Sequence, residues 1–339
     1  MQGPARVLIV GRDDAHDHSL AEKLSESGFE SLIAEITRSA AELSGSRRPD
    51  VVVLNMQSSE ARRRPRAYVA LAQTLKNTTL ASRMRIMCVG ADSKLDLRKA
   101  APHFDDMLIG EVNADQVCHR LHALVRLNTM HEELVRRLGT SARYGLDAPP
   151  PIAAPGTIRD VRILVLGEVM EFTGLKAALS GSAELVGALT NTAALDFLSR
   201  SAFDTVIVNA GIDIGPYIEF ARELRRNSRQ YNLPLLLLAD RDALQGMKSL
   251  FEAGFTDVVA KPYAAEELHI RVDTLVRESR FRDALRDIYS RARHFATSDA
   301  LTGLYNRGFL MEHLESVIAD AARTSQSFSL ARLSLSNMD

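Results

Sequence analysis

Short, unbroken apolar runs alternate with amphipathic stretches along most of this chain. Val7–Val10, Val51–Leu54, Ile86–Val89 and Met107–Ile109 form one set of runs; Ile163–Leu166, Val206–Val208, Leu235–Leu238 and Asp257–Ala260 form another. Each run has the length of a strand, and a strand buried on both faces reads as continuous apolar sequence rather than as alternation. Between the runs, stretches such as Ser19–Ser27 and Ile218–Asn227 place apolar residues on a helical period. Strand–helix alternation with short links predicts an α/β fold, a doubly wound parallel sheet closed by right-handed crossovers. Function in such sheets gathers at the carboxyl ends of the strands.

The pattern occurs twice in the same order. RVLIVG at Arg6–Gly11 returns as RILVLG at Arg162–Gly167, PDVVVLN at Pro49–Asn55 as FDTVIVN at Phe203–Asn209, and FDDMLIGEV at Phe104–Val112 as FTDVVAKPY at Phe255–Tyr263. An internal repeat of this size predicts two copies of one domain, at 1–138 and 161–280. A segment rich in Pro, Gly and Ala at 139–160 reads as a semi-extended linker between them. A helical linker at 281–298 and a further segment at 299–339 follow.

Two long helices are predicted. In the first, Val117, Leu121, Leu124, Asn128, His131, Val135 and Leu138 fall in alternating steps of four and three, an a/d seam whose polar members set register in a helix pair. The seam predicts either self-association into a homodimer or one long helix packed on its own sheet. The second runs from Glu266 to about Phe295. There Leu268, Val272 and Leu275 share one phase, and Phe281, Leu285, Ile288, Ala292 and Phe295 follow one residue out of phase, which argues against a continuous rigid coiled coil.

Composition adds bounds rather than a function. The 339 residues are 46% hydrophobic and 25% charged with a formal net charge of −1, so there is no global field for nucleic acid or a membrane surface. The densest basic cluster is Arg62, Arg63, Arg64 and Arg66, which reads as a solvated loop or as a contact for an acidic partner. Interleaved aromatics, which nucleic-acid binding would favour, are few. No apolar run approaches the roughly 18–20 residues that span a bilayer. Cys88 and Cys118 sit in apolar surroundings and read as reduced core residues. The first strand begins too near the N-terminus for a signal peptide, so a soluble, cytoplasmic protein is expected.

The repeat resembles bacterial response-regulator receiver domains over about Ala5–Arg137 and Val161–Arg280. The resemblance implies an acidic pair after the first strand for Mg²⁺, a phospho-accepting aspartate after the third, Thr or Ser after the fourth, and Lys–Pro after the fifth. In the first copy these positions hold Gly11 and Arg12, Asn55, Gly90, and Gly110–Glu111. In the second they hold Gly167 and Glu168, Asn209, Ala239, and a retained Lys261–Pro262. An amide is a far weaker nucleophile than a carboxylate, and Arg12 sets a cation where a hard metal ion would need oxygen ligands. Neither copy is therefore expected to accept a phosphoryl group. Lys261 is expected to pair with Glu168, with binding of a small anion as the alternative. A displaced metal site at Asp13–Asp14 is a further alternative, while His16, Asp17 and His18 read as capping and solvated residues at a helix start. Cys118, His119 and His122 share one helix, but only two of them face the same way, too few for zinc. No Ser–His–Asp set or Walker loop is apparent, so no catalytic residue and no metal site is assigned.

The segment Asp299–Arg307 reads DALTGLYNR. Asp299, Leu301, Thr302, Gly303, Leu304, Asn306 and Arg307 match the opening motif DxLTGLxNR, so the segment resembles the start of a GGDEF domain, the α+β fold that makes or binds cyclic di-GMP. A first helix at Phe309–Arg323 and a strand at Phe328–Leu335 are expected to follow. A piece this short cannot bury a sheet and should be poorly ordered or borrowed into another contact. Asn337 and Asp339 align with the family's DxD metal strand, with an amide in the first place.

The receiver–receiver–GGDEF order is that of PleD-type regulators, and the altered receiver positions are closer to the PopA type. This implies a non-catalytic signalling regulator of two-component and cyclic di-GMP pathways, acting in the cell cycle or proteolysis. Its receivers would mediate dimerisation and docking of adaptor or localisation proteins, with recruitment to a cell pole. Cyclic di-GMP would belong to a C-terminal domain and no cofactor to the residues at hand. The alternative is a diguanylate cyclase controlled by receiver-mediated dimerisation.

Overall fold

The computed structural model describes residues 4–12, 14–36, 46, 48–58, 61–77, 84–92, 95–143, 160–167, 172–179, 183–292, 299, 302, 304–324 and 326–333. The first repeat contains strands β1 (Arg6–Gly11), β2 (Glu30–Glu35), β3 (Val51–Asn55), β4 (Arg85–Ala91) and β5 (Asp106–Ile109). They form one parallel sheet in the order β2-β1-β3-β4-β5. The second repeat, β6 (Val161–Gly167), β7 (Ala183–Ala188), β8 (Thr205–Asn209), β9 (Leu235–Asp240) and β10 (Asp257–Lys261), repeats that order as β7-β6-β8-β9-β10. The helices of the first repeat are α1 (Ala15–Glu26), α2 (Pro65–Lys76), α3 (Leu97–Ala100) and α4 (Ala114–Arg143). Those of the second are α5 (Phe172–Ala178), α6 (Asn191–Arg200), α7 (Gly215–Arg226), α8 (Met247–Ala253) and α9 (Ala265–Ala292), and α10 (Arg307–Thr324) follows.

Each sheet is sandwiched between two apolar layers. In the first, Leu8, Val52, Leu54 and Ile86 face one cluster and Val7, Ile9, Val51 and Val53 face the other. Every residue of β3 and of β8 is buried, which is why these segments read as unbroken apolar runs. β2 and β7 sit at one edge of their sheets and are mostly half-buried or exposed. Their sequences, ESLIAE and AELVGA, show no such run, and hydropathy gave no reason to expect strands there.

The two long helices join the repeats. In α4, Val117, Leu121 and Leu124 pack on their own sheet, whereas Leu127, Leu134 and Leu138 meet Phe281, Leu285 and Ile288 of α9. In α9, Leu268, Val272 and Leu275 cover the second sheet. The phase offset read in the sequence thus marks the point at which α9 leaves its own sheet and turns toward α4. The expected α4 seam needs one correction. Val135 is 38% exposed and Leu134 takes the buried position, because the helix changes the neighbour it faces part-way along. Asn128 and His131 are buried in the seam, and His131 packs edge-on to Phe281 with ring centroids 5.4 Å apart. The seam assigned to a homodimer is therefore filled within one chain.

The last helix, α10, docks on the C-terminal half of α4. Phe309 is buried, Tyr305 stacks on it at 4.4 Å, and Arg137 lies over the Tyr305 ring. His313 Nε2 and Glu133 Oε1 are 3.1 Å apart, and Arg136 Nε donates to Asp320 across 3.2 Å. Of the two outcomes expected for this short segment, α10 takes the second, contact with another part of the chain. The strand expected at Phe328–Leu335 does not form among the described residues 326–333; a lone strand has no ladder partner for its N–H and C=O groups.

Candidate functional site at the strand ends

In the first repeat the carboxyl ends of β1 and β3 surround a carboxylate. It belongs to Asp17, from the first turn of α1. Asp14 caps that helix, accepting from the backbone N–H of His16 and Asp17 at 2.9 and 3.3 Å, and the Asp17 side chain turns back to the Asp14 N–H at 3.4 Å. This reciprocal box aims Asp17 inward. Its Oδ1 accepts from Asn55 Nδ2 at 2.7 Å and its Oδ2 from the Arg12 N–H at 2.8 Å, with Asp17 and Asn55 both buried. Gly11 makes room, since a Cβ there would overlap the Asp17 carboxylate. Tyr68, fully buried, lies on the same side; burial, then the negative charge of Asp17, push its phenol up.

The chemical consequence is specific. Both oxygens of Asp17 are engaged by N–H donors, and an amide stands at the end of β3. Gly90, in the left-handed region at φ +80°, lies against Gln57 and carries no hydroxyl for phosphate readout. At the end of β5 stand Gly110, with φ +76°, and an exposed Glu111. His16 and Asp17 take part in the helix start, as expected, with Asp14, read as a candidate metal ligand, as its cap; Asp17 is not solvated but is the buried centre of the pocket. The signals that point to it are the Asp-x-x-Asp spacing of the cap and the missing side chain at Gly11. Asp13 lies outside the described residues, and no group of three or more His, Cys, Asp and Glu among the described residues is placed to hold a metal ion.

The second pocket is built differently. Gly167 has φ +140°, and a Cβ there would overlap the Asn209 carbonyl of the adjoining strand. Asn209 is buried, with its Oδ1 unpaired among the described residues. Ala239 is buried at the end of β9, and Lys261 is half-buried at the end of β10, joined to Pro262 by a cis peptide. Glu168 lies outside the described residues, and with it the expected Lys261–Glu168 pair. Asp299 and Thr302 form a local turn, with the Thr302 N–H and Oγ1 donating to Asp299 Oδ1 at 2.9 and 2.8 Å. Asn306 Oδ1 accepts the Phe309 N–H at the start of α10, Leu304 is exposed, and Arg307 opens that helix. Leu301, Gly303, Asn337 and Asp339 lie outside the described residues.

Sequence reasoning missed a second site altogether, a buried charge cluster between the repeats. Asp106, at the start of β5, accepts from Arg120 Nε of α4 at 2.6 Å. Asp257, at the start of β10, accepts from Arg271 Nη1 of α9 at 3.1 Å, with the same fourteen-residue separation. Across the interface Arg120 Nη2 donates to Glu278 at 2.9 Å, and Gln116 Nε2 donates to Asp257 at 2.7 Å and to the Val258 carbonyl at 2.9 Å. Burial pushes the Asp106 carboxyl up while Arg120 pulls it down. For Arg120, burial is outweighed by the carboxylates of Asp106 and Glu278, which raise its pKa. His119, next to it, stacks on Phe251 of α8 at 4.1 Å and is lowered to about 4, chiefly by burial. Cys118 and Cys88 are buried and free.

A five-stranded parallel sheet in the order 2-1-3-4-5 is the receiver arrangement, and the chain contains it twice. Among known proteins, the chain resembles response regulators. It is similar to response regulator PleD of Caulobacter vibrioides, at 24% identity over 319 residues, covering 94% of this chain and 69% of PleD. Response regulator MprA of Mycobacterium tuberculosis is 31% identical over 152 residues, 44% of this chain and 64% of MprA. The crystal structure of a putative response regulator from Chloroflexus aurantiacus matches 35% of this chain and 98% of its own at 23% identity, with a TM-score of 0.33. No family model matches the chain, and no helix among the described residues is long and apolar enough to cross a membrane.

Proposed function

We propose that the chain is a response-regulator protein that works by assembly and partner docking, with two receivers that do not accept a phosphoryl group. The observation that carries this reading is the Asp17–Asn55 pair. Phosphoryl transfer to a receiver needs a free carboxylate nucleophile and oxygen ligands open to Mg²⁺. Among the described residues the first pocket has one buried carboxylate, held by the Asn55 amide and the Arg12 N–H, and the second has Asn209 at the acceptor position. The receivers then act as a fixed scaffold, and in a longer protein of PopA type they would present a cyclic di-GMP-binding domain to adaptor or localisation proteins at a cell pole. A homodimer would use a surface other than the α4 seam, which α9 covers. Adding beryllofluoride and Mg²⁺ while following amide hydrogen exchange tests the reading. Exchange at the ends of β1, β3, β6 and β8 should be unchanged, and Mg²⁺-dependent protection there would refute it.

A second reading is favoured by the likeness to PleD along most of the chain and by the Asp299–Arg307 motif. In it the scaffold serves a diguanylate cyclase domain, activated by partner-driven dimerisation instead of phosphate. GTP turnover by a chain extended beyond Asp339 would establish it.

A further inference from the structure

The turn after β3 carries more positive charge than its fold requires. Arg62 is half-buried and its Nε donates to the Met56 carbonyl at 3.3 Å, while Ser58 Oγ accepts the Ala61 N–H at 3.1 Å. These two bonds fix the short turn Ala61–Arg63, so that Arg63, Arg64 and Arg66 project into solvent. No carboxylate among the described residues lies within ion-pair distance of those three arginines. They also stand at the N-terminus of α2, which has no side-chain cap and no acidic residue in its first turn. The positive end of a helix dipole favours anions and disfavours cations, so the charges here oppose one another.

The second repeat shows that the fold does not demand this. Its equivalent turn leads into α7, which likewise has no side-chain cap and no acidic residue in its first turn. There, however, Asp213, two residues before the helix, accepts the Gly215 N–H at 3.0 Å, and no arginine stands in the turn before the helix. Two copies of one fold in one chain thus place opposite charges at the same helix start, arginines in the first and an aspartate in the second. A local conflict retained against such an internal comparison marks a surface shaped for something other than stability. The cluster also lies just past Asn55, at the sheet end where ligands of parallel α/β folds bind.

We infer that Arg63, Arg64 and Arg66, held by Arg62 at the start of α2, form a docking surface for a segment of a protein partner rich in Asp and Glu. The inference rests on the docking role proposed above and names its surface. Carboxylates suit guanidinium forks and the positive end of the helix dipole together. A nucleic-acid strand would need a longer basic track with exposed rings for its bases, and the one aromatic near the turn, Tyr68, is buried.

The test is titration of the whole chain with a short fluorescein-labelled peptide of Glu and Asp residues, read by anisotropy at low and physiological salt. Binding should weaken as salt screens the charges. The variant R63E/R64E/R66E should lose about tenfold or more in affinity, whereas R226E/R229E, exposed arginines of the second repeat, should bind as the parent does. Equal loss in both variants, or tighter capture of a single-stranded oligonucleotide than of the peptide, overturns the assignment. A chain that ignores the peptide yet stays inert to acetyl phosphate refutes this surface alone. Peptide binding by a chain that acetyl phosphate does label refutes the phosphate-independent reading and leaves the surface standing.

Discussion

Arg120 and Glu278 lie 158 residues apart on helices of different repeats, and their side chains meet at 2.9 Å in the buried interface between α4 and α9. Arg120 also holds Asp106 within its own repeat at 2.6 Å. One guanidinium therefore links the edge strand of one receiver to the long helix of the other. Removing it takes the guanidinium from Asp106 in a dry place and leaves Glu278 only the longer contact with Arg282, at 3.7 Å. Arg120→Met should destabilise the chain by about 3–5 kcal/mol, the usual cost of breaking a buried ion pair on one side. Adding Glu278→Met should recover part of the loss, and urea unfolding of the two variants measures both.

Two glycines, one in the first pocket and one in α4, should respond oppositely to an added methyl group. Gly11→Ala would drive a Cβ into the Asp17 carboxylate, and should cost about 2 kcal/mol or more by displacing a buried, hydrogen-bonded group. Gly139→Ala, in the interior of α4 with open space around it, should stabilise by about 0.5–1 kcal/mol. Thermal unfolding of the two variants distinguishes them by sign.

Asn55→Asp replaces the amide that donates to Asp17 with a second carboxylate, so two like charges would stand 2.7 Å apart. The variant should unfold more readily at neutral pH, by about 2–4 kcal/mol. Mg²⁺ at millimolar concentration should raise its melting temperature and leave that of the parent unchanged. An equal response of both proteins would mean that the parent pocket already takes the ion.

His119 gives the interface a pH dependence. Its folded-state pKa, about 4, lies below the ordinary value of 6.5, with burial as the main cause and Arg120 adding to it. The unfolded chain therefore binds the proton more readily between those values. The contribution of a neutral His119 is complete above pH 6.5 and is lost as the pH falls toward 4, on the order of 2 kcal/mol after allowance for partial exposure. His119→Phe keeps a ring on Phe251 and should flatten that part of the stability–pH curve. Glu133, drawn down to about 2 by His313 and Arg137 against the effect of burial, acts only in a lower window, from about 4.5 downward.

Much of this arrangement is legible in the sequence, and the illegible parts share a cause. Strands such as β3 and β8 announce themselves because both faces are buried. β2 and β7 do not, because their outer faces meet water and the apolar run breaks. The phase slip in α9 is visible beforehand, but its meaning is not, since no local pattern says that Phe281 and Leu285 leave one sheet for the helix of another repeat. Val135 was expected in the α4 seam on heptad spacing, and the change of neighbour turned it outward. The repeat brings Gly11 and Asn55 into register with Gly167 and Asn209, while reading them as departures depends on the resemblance to receiver domains. That Asp17 fills the first pocket depends on a helix cap folding back under a glycine, a contact across 38 residues to Asn55.

The central claim is the absence of phosphoryl acceptance, and intact-mass spectrometry after incubation with acetyl phosphate and Mg²⁺ tests it directly. The account predicts a mass unchanged from the untreated chain, with a receiver carrying an ordinary aspartate labelled under the same conditions. A mass gain of one phosphoryl group, dependent on Mg²⁺ and removed by hydroxylamine as an acyl phosphate is, would contradict it.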